Sequence, residues 1–149
     1  MDCVQIEIVE ERQIDFDLLM QEMIRDEGVK YHAYRDPTGN WAIGVGHLTG
    51  KPVKSITKQQ ALNLLQDDLN TVCDGLDAHL PWWRQLKKKR QHVLINMGFN
   101  LGVGGLLRFK KMLHAVKTGK FKIASRQMLI AKWARQVKDR ARRLAVLMN

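Results

Sequence analysis

The chain is poor in the residues that mark several common functional classes. It has two cysteines in 149 residues, Cys3 and Cys73, too far apart for a disulfide framework or a metal-ligand spacing. Cys73 falls on an apolar helical stripe and is expected to be a small core residue. No CxxC, HExxH or Walker pattern occurs, so neither a metal nor a nucleotide cofactor is expected. No apolar run approaches the roughly 18 residues that span a bilayer, which argues against membrane insertion. The N-terminal "MDCVQIEIVEERQ" is acidic and alternating, unlike a basic-then-apolar secretion signal. These absences predict a chain made and kept in a cytoplasm unless a separate device releases it; a monomer is expected. Internal repeats and low-complexity segments are missing too. With 45% hydrophobic residues the chain has ample material for one folded domain, and nothing suggests disorder.

Acidic residues are scarce in one half only. Residues 1–75 hold 7 Lys+Arg and 13 Asp+Glu, a net −6, whereas residues 76–149 hold 18 and 2, a net +16. A half-chain this basic is drawn to polyanions: nucleic acid, anionic lipid or an acidic cell-wall polymer. No helix-turn-helix signature, aromatic-rich strand pair or zinc motif accompanies the charge. Charge alone gives salt-sensitive, non-specific affinity, so no specific nucleic-acid partner is expected.

Periodicity supplies the elements. Val4, Ile6 and Ile8 alternate with polar residues and predict a short half-buried strand. Asp15 reads as a helix cap for "FDLLMQEMIRDE", in which Phe16, Leu19, Met20, Met23 and Ile24 form one apolar stripe. Glu27 follows Phe16 by eleven residues and Met20 by seven, within roughly 20° of both at 3.6 residues per turn. It is therefore expected on the buried side of the last turn, before the stop at Gly28. "YHAYR" and "NWAIGVG" then predict a hairpin over residues 31–46, turned at "DPTG" with Asp36 in its first position. Thr57 and Gln60 form a capping box, and Ile56 with Ala61 a hydrophobic staple. They start a helix of about 22 residues, on the order of 33 Å long, ending before Pro81. Four more helices are expected at about 83–101, 106–117, 121–133 and 138–148. The predicted class is α+β and mostly helical. It comprises one domain with an N-terminal lobe (1–56), a connecting helix (57–80), a helical C-terminal lobe (81–149), and a cleft between the lobes.

Glu27 and Asp36 invite a chemical reading. A carboxyl on an apolar face keeps its proton by desolvation, while one on an exposed turn stays ionised. Two acids in unlike environments are what glycosidic cleavage requires. Spacing alone leaves two plainer readings open: a helix-end acid paired with an arginine, and an aspartate that only stabilises its turn.

"IRDEGVKYHAYRDPTGNWAIGVGH" resembles the active-site segment of phage-type lysozymes, glycoside hydrolase family 24. The acid-Gly pair, the Tyr-x-Asp step and the closing "IGVGH" carry the resemblance. "INMGFNLG" (95–102) resembles the family's second signature, and "KW" with "RARRLAVL" (132–147) its C-terminal helices. The first 14 residues lie outside it. The resemblance implies a lysozyme-like fold and a muramidase, or endolysin of a phage or prophage. Such an enzyme cuts the β-1,4 bond between N-acetylmuramic acid and N-acetylglucosamine in peptidoglycan, without a cofactor. Glu27 would be the general acid and Asp36 would activate water, in an inverting arrangement. His47 would pair with Asp68, and Arg140 would be the buried arginine against the catalytic glutamate. Leu48, Phe99 and Gln127 would line the saccharide cleft, with Asn100 and Trp133 nearby; Leu48, Phe99 and Trp133 also suit plain packing.

Two departures stand out. The family usually places a threonine six residues after the aspartate, where this chain has Ala42. One lost positioning hydrogen bond costs about 1–3 kcal/mol, roughly ten- to hundredfold in rate. The alternative to an active muramidase is thus a peptidoglycan-binding pseudoenzyme. The family's small hydroxyl residues near 110–112 are also replaced, by "KKM".

Overall fold

In the computed structural model, which describes residues 2–149, the N-terminal segment is a helix and not the expected strand: α1 (Cys3–Arg12). Asp2 Oδ1 accepts the Gln5 amide at 2.8 Å and caps it. Val4 and Ile6 are 63% and 43% exposed, so neither is buried on a strand face; the side chain of Ile8 lies outside the described residues. Five alternating residues are too few to separate period 2 from period 3.6, and tertiary anchors decide the outcome. Gln91 Nε2 donates to the Arg12 carbonyl at 2.8 Å, Arg12 donates to Gln85 Oε1 at 2.8 Å, and Lys87 pairs with Glu11 at 2.9 Å.

Those anchors place α1 with the C-terminal part of the chain. One compact unit is Asp15–Thr71, and the other combines residues up to Ile14 with Val72–Asn149. The division differs from the expected lobes, because residues 1–14 join the second unit and the boundary falls inside a helix.

In the Asp15–Thr71 unit, Asp15 Oδ1 caps α2 (Phe16–Glu27) by accepting the Leu18 amide at 3.0 Å. Gly28, at φ 73°, ends the helix in a conformation that a Cβ would strain. An antiparallel sheet follows: β1 (Lys30–Arg35), β2 (Trp41–Gly44) and a short third strand, β3 (His47–Leu48), with β2 in the middle. The capping box then opens α3 (Lys58–His79): the Thr57 amide donates to Gln60 Oε1 at 2.8 Å, and the Gln60 amide to Thr57 Oγ1 at 3.1 Å. Leu19, Met23, Ile43, Leu65 and Leu69 are fully buried here.

In the second unit the last residues of α3 lead through a 3-10 turn (Trp83–Gln85) to α4 (Lys88–Leu107). The break expected between residues 101 and 106 is confined to one residue, Gly102, at φ 74° inside α4. Then come α5 (Lys110–Lys117), α6 (Phe121–Ile130), α7 (Lys132–Val137) and α8 (Asp139–Met148). The single helix expected at 121–133 therefore ends at Ile130, and α7 is a separate short helix. Trp83 is fully buried, and its indole N–H donates to Asp77 Oδ1 at 2.7 Å. Gly75 and Gly98 let α3 and α4 approach closely. A Cβ on Gly75 would lie 2.8 Å from a Val103 methyl, and one on Gly98 2.8 Å from a Val72 methyl. Buried Arg90 ties the end of α8 to the start of α4, donating to the Met148 and Asn149 carbonyls at 2.9 and 3.0 Å. No helix among the described residues is long and apolar enough to cross a membrane. The fold is mostly helical α+β with a small antiparallel sheet.

Candidate active site

Asp36 opens the β1–β2 turn, with the Gly39 amide donating back to its carbonyl at 2.9 Å. Its side chain gathers three donors on one oxygen. Oδ1 accepts the Thr38 hydroxyl at 2.7 Å, the Asn40 amide at 2.8 Å and the Thr38 amide at 2.9 Å. These bonds, the Thr38 hydroxyl foremost, hold the carboxyl below its ordinary pKa. Asp36 is therefore an anion at neutral pH. The turn-stabilising arrangement is also the one that fixes the carboxylate's charge and orientation.

Glu27 closes α2 but is exposed, which corrects the expectation of a buried-side acid. The inward acid is its neighbour Asp26, with a side chain 2% exposed and 3.5 Å from Arg25 Nε. The buried face centres on Leu19 and Met23, both at 0% exposure, whereas Phe16 and Met20 are only half-buried. At 3.6 residues per turn Asp26 lies about 40° from the midline of Leu19 and Met23, and Glu27 about 60° on the other side. A stripe drawn through the flank of that face placed Glu27 on the buried side, where Asp26 lies.

Tyr34 was not singled out from the sequence, although it is the tyrosine of the Tyr-x-Asp step. Its phenol is pushed above the ordinary tyrosine pKa, first by burial and then by the charges of Glu27 and Asp36. Both candidate acids therefore act on the same ring. In the sheet register Tyr34 lies opposite Ala42, and Ala42 opposite Leu48. Cross-strand partners point to one face, so Tyr34, Ala42 and Leu48 form a row. Ala42 is 1% exposed at its centre and Leu48 58% exposed at its edge. Nearby, His47 Nδ1 lies 3.0 Å from both oxygens of Asp68, tying β3 to α3.

The remaining candidates belong to the second unit. Arg140 is buried and donates from Nε to Asn96 Oδ1 at 2.8 Å. Phe99 and Asn100 are half-buried on α4. Trp133 is buried, donates to Asn100 Oδ1 at 2.8 Å and meets Phe109 edge-to-face at 6.1 Å. Gln127, half-buried on α6, lines a pocket of about 360 Å³ with Arg108, Phe109, Lys110, Lys111 and Ile130. The sequence marked "KKM" there only as a departure. Among the described residues no group of three or more His, Cys, Asp or Glu is placed to hold a metal ion. The structure thus groups Glu27, Asp36, His47, Leu48 and Asp68 in one unit, and Phe99, Gln127 and Arg140 in the other.

The chain is 32% identical over 155 aligned residues to the pre-baseplate central spike protein Gp5 of Enterobacteria phage T4, covering 86% of this chain but 27% of that protein. It is 27% identical to the probable T4-type lysozyme 1 of Dictyostelium discoideum, covering 80% of this chain and 86% of that one. It is 30% identical to the SAR-endolysin of Enterobacteria phage P21, over 68% of this chain and 61% of that one. The family profile described as Phage lysozyme matches residues 25–149, leaving α1 outside. That match spans well over half of the sequence, and the chain belongs to the phage lysozyme family.

Proposed function

We propose that this protein is a muramidase of the endolysin type, hydrolysing the β-1,4 bond between N-acetylmuramic acid and N-acetylglucosamine in peptidoglycan. Glu27 protonates the departing glycosidic oxygen. Asp36, held ionised by its turn, activates the water that attacks the sugar and so inverts the anomeric centre. The observations that support this reading are the match of residues 25–149 to the phage lysozyme family and the Asp36 carboxylate, held by three hydrogen bonds on its turn. Glu27 is exposed, so the fold alone does not supply the burial expected of a proton donor. A saccharide laid over it would supply that burial by excluding water. Leu48 in the Asp15–Thr71 unit, and separately Phe99 and Gln127 in the other unit, are assigned as saccharide-binding residues. Arg140, with the His47–Asp68 pair, gives structural support. We assign the protein to the host cytoplasm until it is released to the wall.

The test is reducing-end release from purified sacculi. Wild type should release reducing ends, and Glu27→Gln should be at least about a hundredfold slower; equal rates would reject the catalytic assignment. Ala42 favours the second reading, a protein that binds peptidoglycan without turnover. Sacculus binding by wild type with no reducing ends, and turnover gained in Ala42→Thr, would establish it.

A further inference from the structure

Asp36 holds its turn with one carboxylate oxygen. The Thr38 hydroxyl, the Thr38 amide and the Asn40 amide all end on Oδ1, and the Asn40 side-chain amide is turned to Thr38 Oγ1 at 2.9 Å. Oδ2 is the oxygen left for a water molecule. A water held by one acceptor still swings about that bond, so aiming its lone pair at a sugar carbon needs a second polar partner. Few side chains of the sheet can be that partner. The Thr38 hydroxyl is engaged, donating to Oδ1 at 2.7 Å and accepting from Asn40. Thr49 donates to the Lys51 carbonyl at 2.6 Å, and Ala42 offers only a methyl.

Tyr34 meets the need by its place in the ladder. It precedes Asp36 by two residues, and the pairing runs on through Asp36, whose amide donates to the Asn40 carbonyl at 2.8 Å. The two residues therefore project from one face, about 6.6 Å apart along the strand. Across the ladder Tyr34 is the partner of Ala42, the position where a hydroxyl is missing. Lys30 Nζ lies 4.2 Å from the centre of the Tyr34 ring and steadies it, while the Tyr34 hydroxyl makes no hydrogen bond among the described residues. Burial and the neighbouring carboxylates keep the phenol neutral, so it does not compete with Asp36 for a proton. Resting on the muramidase reading, we propose that the Tyr34 hydroxyl is the second anchor of the attacking water, serving from β1 where a hydroxyl on residue 42 of β2 is absent. The water points one hydrogen at Asp36 Oδ2 and the other at Tyr34 Oη, which leaves a lone pair facing the sugar. As its oxygen bonds to the anomeric carbon, the first hydrogen passes to Oδ2 as a proton. The bond from that carbon to the glycosidic oxygen breaks, and that oxygen takes the Glu27 proton.

The experiment measures kcat and KM for reducing-end release from solubilised peptidoglycan, with Tm recorded for each protein. Tyr34→Phe keeps the ring and its contact with Lys30 and removes one oxygen. Its kcat should fall about tenfold with KM and Tm unchanged. Tyr31→Phe takes the same atom from an exposed tyrosine of β1 and should leave kcat as it was. Ala42→Thr or Ala42→Ser, added to Tyr34→Phe, puts a hydroxyl on the partner strand. One of them should return most of the lost rate, a larger gain than the same change gives in the wild type. An unchanged kcat in Tyr34→Phe, an equal loss in Tyr31→Phe, or no recovery in either double variant would overturn the proposal. A wild type that releases no reducing ends would reject the muramidase reading and this assignment with it. A wild type that cuts, beside an equally fast Tyr34→Phe, would reject this assignment alone.

Discussion

Thr38 sets the charge of Asp36 more than any other neighbour. Its hydroxyl and amide supply two of the three donors on Oδ1, the hydroxyl bond being 2.7 Å. A carboxyl whose folded pKa is depressed adds stability above the ordinary carboxylate range and loses it as pH falls through the depressed value. In Thr38→Val the Asp36 pKa, followed by NMR, should rise toward its ordinary value. The acid limb of the pH–rate profile should move upward in pH with it; an unmoved pKa would show that the backbone donors suffice. This turn was legible in "DPTG", because proline, glycine and a side-chain acceptor fix it within four residues. The side of α2 that carries Glu27 was not. It depends on which of two adjacent apolar rows meets the core, and only packing decides that. Tyr34 was legible as a letter but not as a neighbour of Ala42, since the pairing of Arg35 with Trp41 and of Tyr34 with Ala42 follows from how the turn closes.

The 3-10 corner and the α3–α4 crossing carry the predictions that belong to elements. Asp77 accepts from buried Trp83 and is gripped by Arg84 Nε and Nη2 at 2.7 and 3.0 Å. Asp77→Ala leaves a buried indole N–H unsatisfied and should cost about 1–3 kcal/mol in urea unfolding followed by tryptophan fluorescence. At the crossing, Gly98→Ala pushes a methyl against Val72, whose χ1 is stiff. Overpacking of about 1–3 kcal/mol should outweigh a helix-propensity gain of about 1 kcal/mol, and adding Val72→Ala should recover stability. A Gly98→Ala protein more stable than wild type would mean that the helices part freely. The capping box at Thr57 and the stop at Gly28 were readable because local chemistry determines both. Helix α1 was misread because its fate is set by Gln85, Lys87 and Gln91, which no local window contains.

At the scale of the whole molecule the uneven charge predicts a strongly salt-dependent association with the wall. Raising ionic strength from about 0.05 M to about 0.5 M shortens the screening length well below the spacing of surface charges. Affinity for sacculi should fall by about tenfold or more with no change in the circular dichroism spectrum; salt-insensitive binding would show that the basic half does not face the glycan. The halves were countable from the sequence. The units were not, because residues 1–14 belong with a partner segment far along the chain.

That discontinuity bears on synthesis. The Arg12 carbonyl is made 79 residues before the Gln91 amide that satisfies it. At ribosomal speeds of about 5–20 residues per second the interval is roughly 4–16 s. During it the contiguous stretch from Asp15 to Thr71 is born whole and is free to organise first, while the opening helix has nothing to rest against. A nascent chain released before Gln91 has been added would end with one module finished and its first segment stranded.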